Sequence, residues 1–260
     1  MFNHGNTLFL KFFIIFIAMD EKIKTLQELI DTSKKIVFFG GAGVSTESGI
    51  KDFRSKDGLY QLQSKYGYPY EEMLSSTYFY RNTDTFYNFY REMMINTSAK
   101  PNYAHMYLAK LEKCKQLTII TQNIDGLHQM AGSRNVLELH GSIHRNFCLK
   151  CHSHYSLEDI LKLDSTPRCP KCGGLIKPDV TLYEEQLNQD VLREAIKAIS
   201  EADLMIIAGT SLRVYPASGL VYYFRGKHLV VINKEPLCLA EQVSLEINAP
   251  VGETFKKLKI

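Results

Sequence analysis

The chain has 260 residues, of which 45% are hydrophobic, and a formal net charge of +3. That length can hold one substantial core with an inserted module, or two small domains, and the apolar content excludes a largely disordered chain. So small a charge, with no lysine or arginine block, gives no basis for a nucleic-acid partner.

Residues 8–17, LFLKFFIIFI, are the one membrane-like stretch. Ten residues interrupted by Lys11 cannot span a bilayer that needs about 20, and Ala18-Met19-Asp20 is a poor signal cleavage site. Residues 1–18 are expected to be a misread start or a disordered leader, a signal or anchor being the open alternative. No membrane partner is expected, and the protein is placed in the cytoplasm. From Met19 onward Ile23, Leu26 and Ile30 mark one face of an amphipathic helix.

Lys35 to Phe39 is a short apolar run that leads straight into Gly40-Gly41-Ala42-Gly43-Val44-Ser45-Thr46-Glu47-Ser48-Gly49. Glycines after a strand let the backbone turn tightly and approach a pyrophosphate. GxGxxG would need glycine where Thr46 stands, so this loop alone leaves nucleotide binding and a plain tight turn both open. The aromatics between Tyr60 and Tyr90 fall at helical spacing and read as packing for a helical module. Pro101 to Glu112 reads as a further helix, with His105 as a structural residue.

Leu117 to Ile120 is a β-branched run followed by TQNIDGLH, Thr121 to His128, which sets amides, a carboxylate and an imidazole at the end of a buried strand. Asp203 to Ala208 runs into Gly209-Thr210-Ser211-Leu212, and Leu229 to Ile232 into Asn233. Ligands bind at the carboxyl edge of open α/β sheets, and four strands ending in small or hydrogen-bonding residues point to a nucleotide crevice. The tail from Lys256 to Lys259 reads as the solvated face of a last helix.

Cys148, Cys151, Cys169 and Cys172 form two CxxC pairs separated by residues 152–168. Two knuckles supplying four thiolates close a tetrahedral zinc site with no open position, which is structural. Disulfides or a redox pair are the weaker readings. His152 and His154 are expected at the surface, and Cys114 and Cys238 as buried thiols of a reducing compartment.

The glycine loop from Gly41 to Ser55, TQNIDGLH, Leu139-His140-Gly141, the two knuckles, Gly209 to Leu212 and Ile232-Asn233, in this order, resemble the sirtuin family of NAD-dependent protein deacylases. The resemblance covers about residues 20–260. It implies an α/β fold in which a Rossmann-like parallel-sheet domain (19–53, 102–145 and 176–260) carries a helical module (54–101) and an inserted zinc ribbon (146–175). It also implies that NAD and an acetyl-lysine peptide or protein enter a cleft between the large and small domains. By motif position Gly41, Ala42, Thr46 and Arg54 would hold the pyrophosphate side, and Thr210, Ser211, Asn233 and Val251 the adenosine half. Phe53, Ile124 and Asp125 would line the nicotinamide pocket, and Gln122 and Asn123 would orient the ribose and a water.

His140 is the general base the resemblance implies, since a histidine accepts a proton at neutral pH. The implied products are lysine, nicotinamide and O-acetyl-ADP-ribose. Mono-ADP-ribosyl transfer and an NAD-sensing module with vestigial catalysis are the alternatives, and a monomer is expected. Lys51 stands where the family usually has proline, which restores conformational freedom to a loop that must close over NAD. Lys177 stands where the family has arginine and Glu184 where it has glycine, which puts the peptide preference in doubt. Gly58-Leu59-Tyr60-Gln61 lacks the tyrosine and arginine arrangement of relatives that prefer acidic acyl groups, so a neutral acetyl group is expected.

Overall fold

The computed structural model describes residues 4–53, 66–239 and 242–260, with side chains from residue 17 onward. Arg54 and the segment from Gly58 to Gln61 lie outside the described residues. Helix α1 (His4–Thr32) runs through residues 4–18 without a break, and Ile23, Leu26 and Ile30 are buried on its one apolar face. Among the described residues no helix is long and apolar enough to cross a membrane.

The strands are β1 (Lys35–Gly40), β2 (Gln116–Thr121), β3 (Val136–Glu138), β4 (Gly141–Cys148), β5 (His154–Ser156), β6 (Ile176–Val180), β7 (Leu204–Ala208), β8 (His228–Ile232) and β9 (Leu245–Ile247). Between and after them lie α2 (Tyr70–Met73), α3 (Ser76–Arg81), α4 (Thr83–Phe89), α5 (Tyr103–Leu111), α6 (Leu127–Met130), α7 (Leu157–Lys162), α8 (Gln189–Glu201) and α9 (Val251–Lys256). Six strands form a parallel sheet in the order β3-β2-β1-β7-β8-β9. Strand order reverses between β1 and β7, and a parallel sheet opens a ligand crevice at the carboxyl ends of such a switch point. Gly40 pairs with both Thr121 and Ala208, so the edges of the three central strands are level there.

Both faces of the sheet are covered, which is why its strands read as unbroken apolar runs rather than alternating ones. Phe38 and Ile206 face one core with Leu26 of α1, Leu108 of α5 and Phe255 of α9. Their neighbours Phe39 and Ile207 face the other, with Ala195 and Ile199 of α8. This alternation is the period of two that a strand imposes.

A second sheet is antiparallel, in the order β5-β4-β6, and reaches beyond the cysteine module. Residues 141–145 and 176–180, grouped with the parallel sheet in the sequence reading, pair here instead, because Gly141 and Ser142 lie against Val180 and Asp179. Arg145 of β4 ties this sheet to the large one through Glu138 of β3 at 2.6 Å, and pairs within its own sheet with Asp179 of β6 at 2.7 Å. Gly141 has φ 75°, and a Cβ there would stand 1.9 Å from the Asp179 carbonyl oxygen. Gly141→Ala therefore adds left-handed strain to a backbone clash and is expected to cost at least ~2 kcal/mol. A wild-type urea midpoint for the variant would contradict this.

In the helical module Tyr70, Phe79, Phe86, Tyr87, Phe89 and Tyr90 are buried together, Phe86 stacking on Tyr90 at 5.7 Å between ring centroids. These rings are packing, as their helical spacing suggests. The expectation of buried Cys114 and Cys238 fails: both are exposed, the first in the turn after α5 and the second in the loop after β8. An isolated cysteine carries no periodicity that would fix its face.

Candidate active site

The loops after β1 and β7 meet backbone to backbone. Gly41 N–H donates to Ala208 O at 3.1 Å and Gly43 N–H to Gly209 O at 2.7 Å. A Cβ on Gly43 would approach Gly209 Cα to 2.8 Å, and one on Gly209, where φ is 57°, would approach Val44 N to 2.4 Å. Side chains are excluded from this junction, so the main chain forms the floor of the crevice. The N–H of Ala42 has no acceptor among the described residues and lines the cavity. A free amide over a side-chain-free cradle fits an anionic group such as a pyrophosphate.

The end of β2 adds the polar groups. Gln122 donates its main-chain N–H to Gly40 O and its side-chain Nε2 to Thr210 Oγ1, at 3.0 and 3.1 Å. Its carbonyl lies 2.9 Å from His140 Nδ1. A carbonyl can only accept, so Nδ1 carries the proton and Nε2 is left with its lone pair on a half-buried ring that lines the cavity. Burial pushes the His140 pKa below its ordinary value, and the contact with Gln122 opposes this in part. The neutral, accepting form is therefore the resting one at neutral pH.

Asp125 is held from two sides: Oδ1 accepts from Leu127 N–H at 2.9 Å and Oδ2 from Ser45 Oγ at 2.7 Å. The same Ser45 oxygen accepts from Asn123 Nδ2 at 3.0 Å, which leaves Asn123 Oδ1 without a partner among the described residues. Ser45 is 1% exposed and joins the two polar residues of TQNIDGLH to the glycine loop. The sequence reading missed it. Its only signal is a small hydroxyl residue between Ala42 and Thr46 in a loop otherwise read for its glycines.

One cavity of about 430 Å³ takes in the expected residues that lie within the described chain. Gly41, Ala42, Thr46 and Phe53 line it from the first loop, Gln122, Asn123, Ile124 and Asp125 from the second, and His140 from the end of β3. Thr210, Ser211, Asn233 and Val251 complete it after β7, after β8 and at the start of α9. The glycine loop is braced there by Glu47, whose carboxylate accepts from the N–H groups of Gly252 and Glu253.

His128, the imidazole of TQNIDGLH, does not join them. It is 1% exposed and faces His105, with ring centroids 4.6 Å apart, and meets Phe38 edge-on. His105 Nδ1 accepts from Asn102 N–H in the capping box of α5, while its Nε2 and both nitrogens of His128 have no partner among the described residues. Burial lowers His105 to about 4, with Asp125 opposing, and burial and His105 hold His128 well below its ordinary value. An unfolded histidine takes its proton near 6.5, so from there down to about pH 4 the unfolded chain binds more protons and stability falls with pH. His128→Phe keeps the contact with Phe38 and removes one titrating group. Its stability loss between pH 7.5 and 5 is expected to be ~2 kcal/mol smaller than that of the wild type in urea melts. Equal losses would contradict this.

In the small sheet the sulfurs of Cys148, Cys151, Cys169 and Cys172 all lie within 4.8 Å of one another, with Cys148 to Cys172 at 3.5 Å and Cys151 to Cys169 at 3.6 Å. All four are free cysteines. Tetrahedral zinc with thiolate bonds near 2.3 Å sets its sulfurs about 3.8 Å apart, so the cluster fits that ion. Tyr155 lies with its hydroxyl 3.0 Å from Cys169 Sγ. His152 and His154 are exposed and stand outside the cluster.

Residues 41–216 match the model of the Sir2 family. This chain belongs to the Sir2 family. It is 52% identical over 238 residues to an NAD-dependent protein deacetylase of Clostridium acetobutylicum, covering 91% of this chain and 97% of that protein. With the protein of the same description from Clostridium perfringens it shares 54% over 242 residues, covering 92% and 99%. Among solved structures it is similar to a Sir2 protein bound to acetylated peptide, with TM-score 0.79 and 37% identity. A Sir2 complex with peptide and NAD+ gives 0.78 and 39%, and each comparison covers 90% of this chain and 96% of the other.

Proposed function

We infer that the chain is an NAD-dependent protein-lysine deacetylase that converts acetyl-lysine and NAD to lysine, nicotinamide and O-acetyl-ADP-ribose. The observation that carries the reading is the free Nε2 of His140 on the same cavity as the side-chain-free cradle of Gly41, Gly43 and Gly209. NAD supplies, when bound, a glycosidic bond whose cleavage releases nicotinamide and opens the ribose carbon to an acyl oxygen.

The chain's own residues have the following parts. Gly41, Ala42 and Thr46 receive the pyrophosphate through the cradle, and Arg54 is assigned to the same group by motif position alone. Thr210, Ser211, Asn233 and Val251 receive the adenosine half. Phe53 and Ile124 give the nicotinamide pocket apolar walls, and Asp125, fixed by Ser45 and Leu127 N–H, turns a carboxylate toward it. Gln122 and Asn123 orient a ribose hydroxyl and a water. His140 Nε2 takes a proton from the ribose diol, and the Gln122 carbonyl steadies the imidazolium that results through Nδ1–H. Cys148, Cys151, Cys169 and Cys172 hold a structural zinc ion, and the free thiols fit a reducing cytoplasm.

The test is incubation of the zinc-replete protein with NAD and an acetyl-lysine peptide, followed by mass spectrometry. Free nicotinamide, O-acetyl-ADP-ribose and deacetylated peptide in equal amounts are expected. Protein labelled with ADP-ribose and an unchanged peptide would point to ADP-ribosyl transfer, and no nicotinamide at all would leave a binding module.

A further inference from the structure

Two segments that line the cavity have main-chain groups to spare. In Ser211 to Tyr215 the N–H groups of Ser211, Arg213, Val214 and Tyr215 meet no acceptor among the described residues, and Tyr215 is 75% exposed. In Thr181 to Glu185 the Thr181 carbonyl and the Glu184 N–H are likewise unpaired among the described residues. Unpaired main chain beside a cavity is a template for an extended peptide.

Glu184 sits in the second segment with φ 74°, a conformation unfavourable for any residue with a Cβ, yet glycine is not used. Its Oε2 accepts from Thr77 N–H at 2.8 Å, which pins the carboxylate and, with Arg81 farther off, lowers its pKa. The side chain is exposed on the cavity wall and makes no ion pair among the described residues. The adjacent Glu185 is used up internally: it pairs with buried Lys177 at 3.0 Å and accepts from Leu182 N–H at 2.9 Å. A fixed, ionised carboxylate, in no direct ion pair among the described residues, thus borders the segment whose unpaired main chain would receive an extended peptide.

We propose that Glu184 makes this enzyme selective for acyl-lysine sites that carry a cationic residue on one flank. The proposal rests on the deacetylase reading and adds the substrate class to it. Arg213, on the other segment, lines the same cavity with the opposite charge, so the preference is expected on one flank only. Like charges set side by side in a peptide groove are strongly disfavoured and opposite ones steer and retain the ligand.

The experiment uses acetyl-lysine peptides that differ only by a single Lys, Ala or Glu at each position within two residues of the acetyl-lysine. kcat and KM are read from nicotinamide release for the wild type, Glu184→Gln and Glu184→Lys. At one position the wild type is expected to favour Lys over Glu by roughly tenfold in kcat/KM. Glutamine can still accept from Thr77, so E184Q keeps the tether and removes only the charge, bringing the ratio near one through KM. E184K inverts the preference. A wild type indifferent to charge at every position, or an unchanged ratio in E184Q, overturns the proposal, as does an equal loss on all peptides, which marks Glu184 as a tether alone. Absence of nicotinamide with any peptide, the alanine ones included, overturns the deacetylase reading itself and this proposal with it.

Discussion

His140→Ala lowers deacetylation by about 100-fold or more, the range expected for removal of a general base, while NAD still binds. Among the described residues the ring is held by one hydrogen bond, from Nδ1 to the Gln122 carbonyl, and that bond decides which nitrogen is basic. Alanine removes the acceptor without disturbing the glycine cradle, which is made of main chain from other loops. Turnover and binding should therefore separate: single-turnover rates fall, and calorimetric affinity for NAD stays within a few-fold. The pH profile gives a second readout. Since burial holds His140 below its ordinary value, the wild-type acid limb should lie below pH 6.5, and the residual activity of the variant should be flat there. Full activity in His140→Ala removes this residue from the mechanism.

Cys169→Ser, or removal of zinc by a strong chelator, is expected to unfold the small sheet. Four cysteines would close the shell of a zinc ion, and apparent zinc-binding energies of about 10 kcal/mol or more in small modules are folding energies. The local core here is slight, built on Ile160, Ile176 and the cysteines themselves. Loss of one zinc per chain, new protease cleavage within 146–175 and a lowered Tm should appear together. A closed, structural metal site could in principle be separate from the chemistry. The pairing of β4 with β6 changes that, because the two strands carry His140 and Thr181 at their ends, joined by Thr181 N–H to His140 O at 2.9 Å. Deacetylation should fall along with the fold. A chelated protein with full activity and an unchanged cleavage pattern would contradict both statements.

The sequence was most informative where a residue type has only one use. Buried parallel strands must be continuously apolar, so Lys35 to Phe39, Leu117 to Ile120, Asp203 to Ala208 and Leu229 to Ile232 announced themselves, and the polar residues after each marked the crevice edge. Two CxxC knuckles at ribbon spacing announced a four-sulfur cluster. It was least informative for single residues without periodicity. Cys114 and Cys238 are exposed where burial was expected, and His128 turns into the core although it lies in the same motif as Asp125.

By itself, then, the sequence determined four of the six parallel strands, the glycine turn and the sulfur cluster from local spacing and composition, and it pointed to the family through the order of its motifs. Only the tertiary structure decided that Ser45 binds both Asn123 and Asp125, that Gln122 O fixes the tautomer of His140, and that Glu184 is pinned by Thr77. Those contacts join residues from about 20 to about 110 positions apart, and which of them meet is set by strand order and register, not by the neighbours each has along the chain.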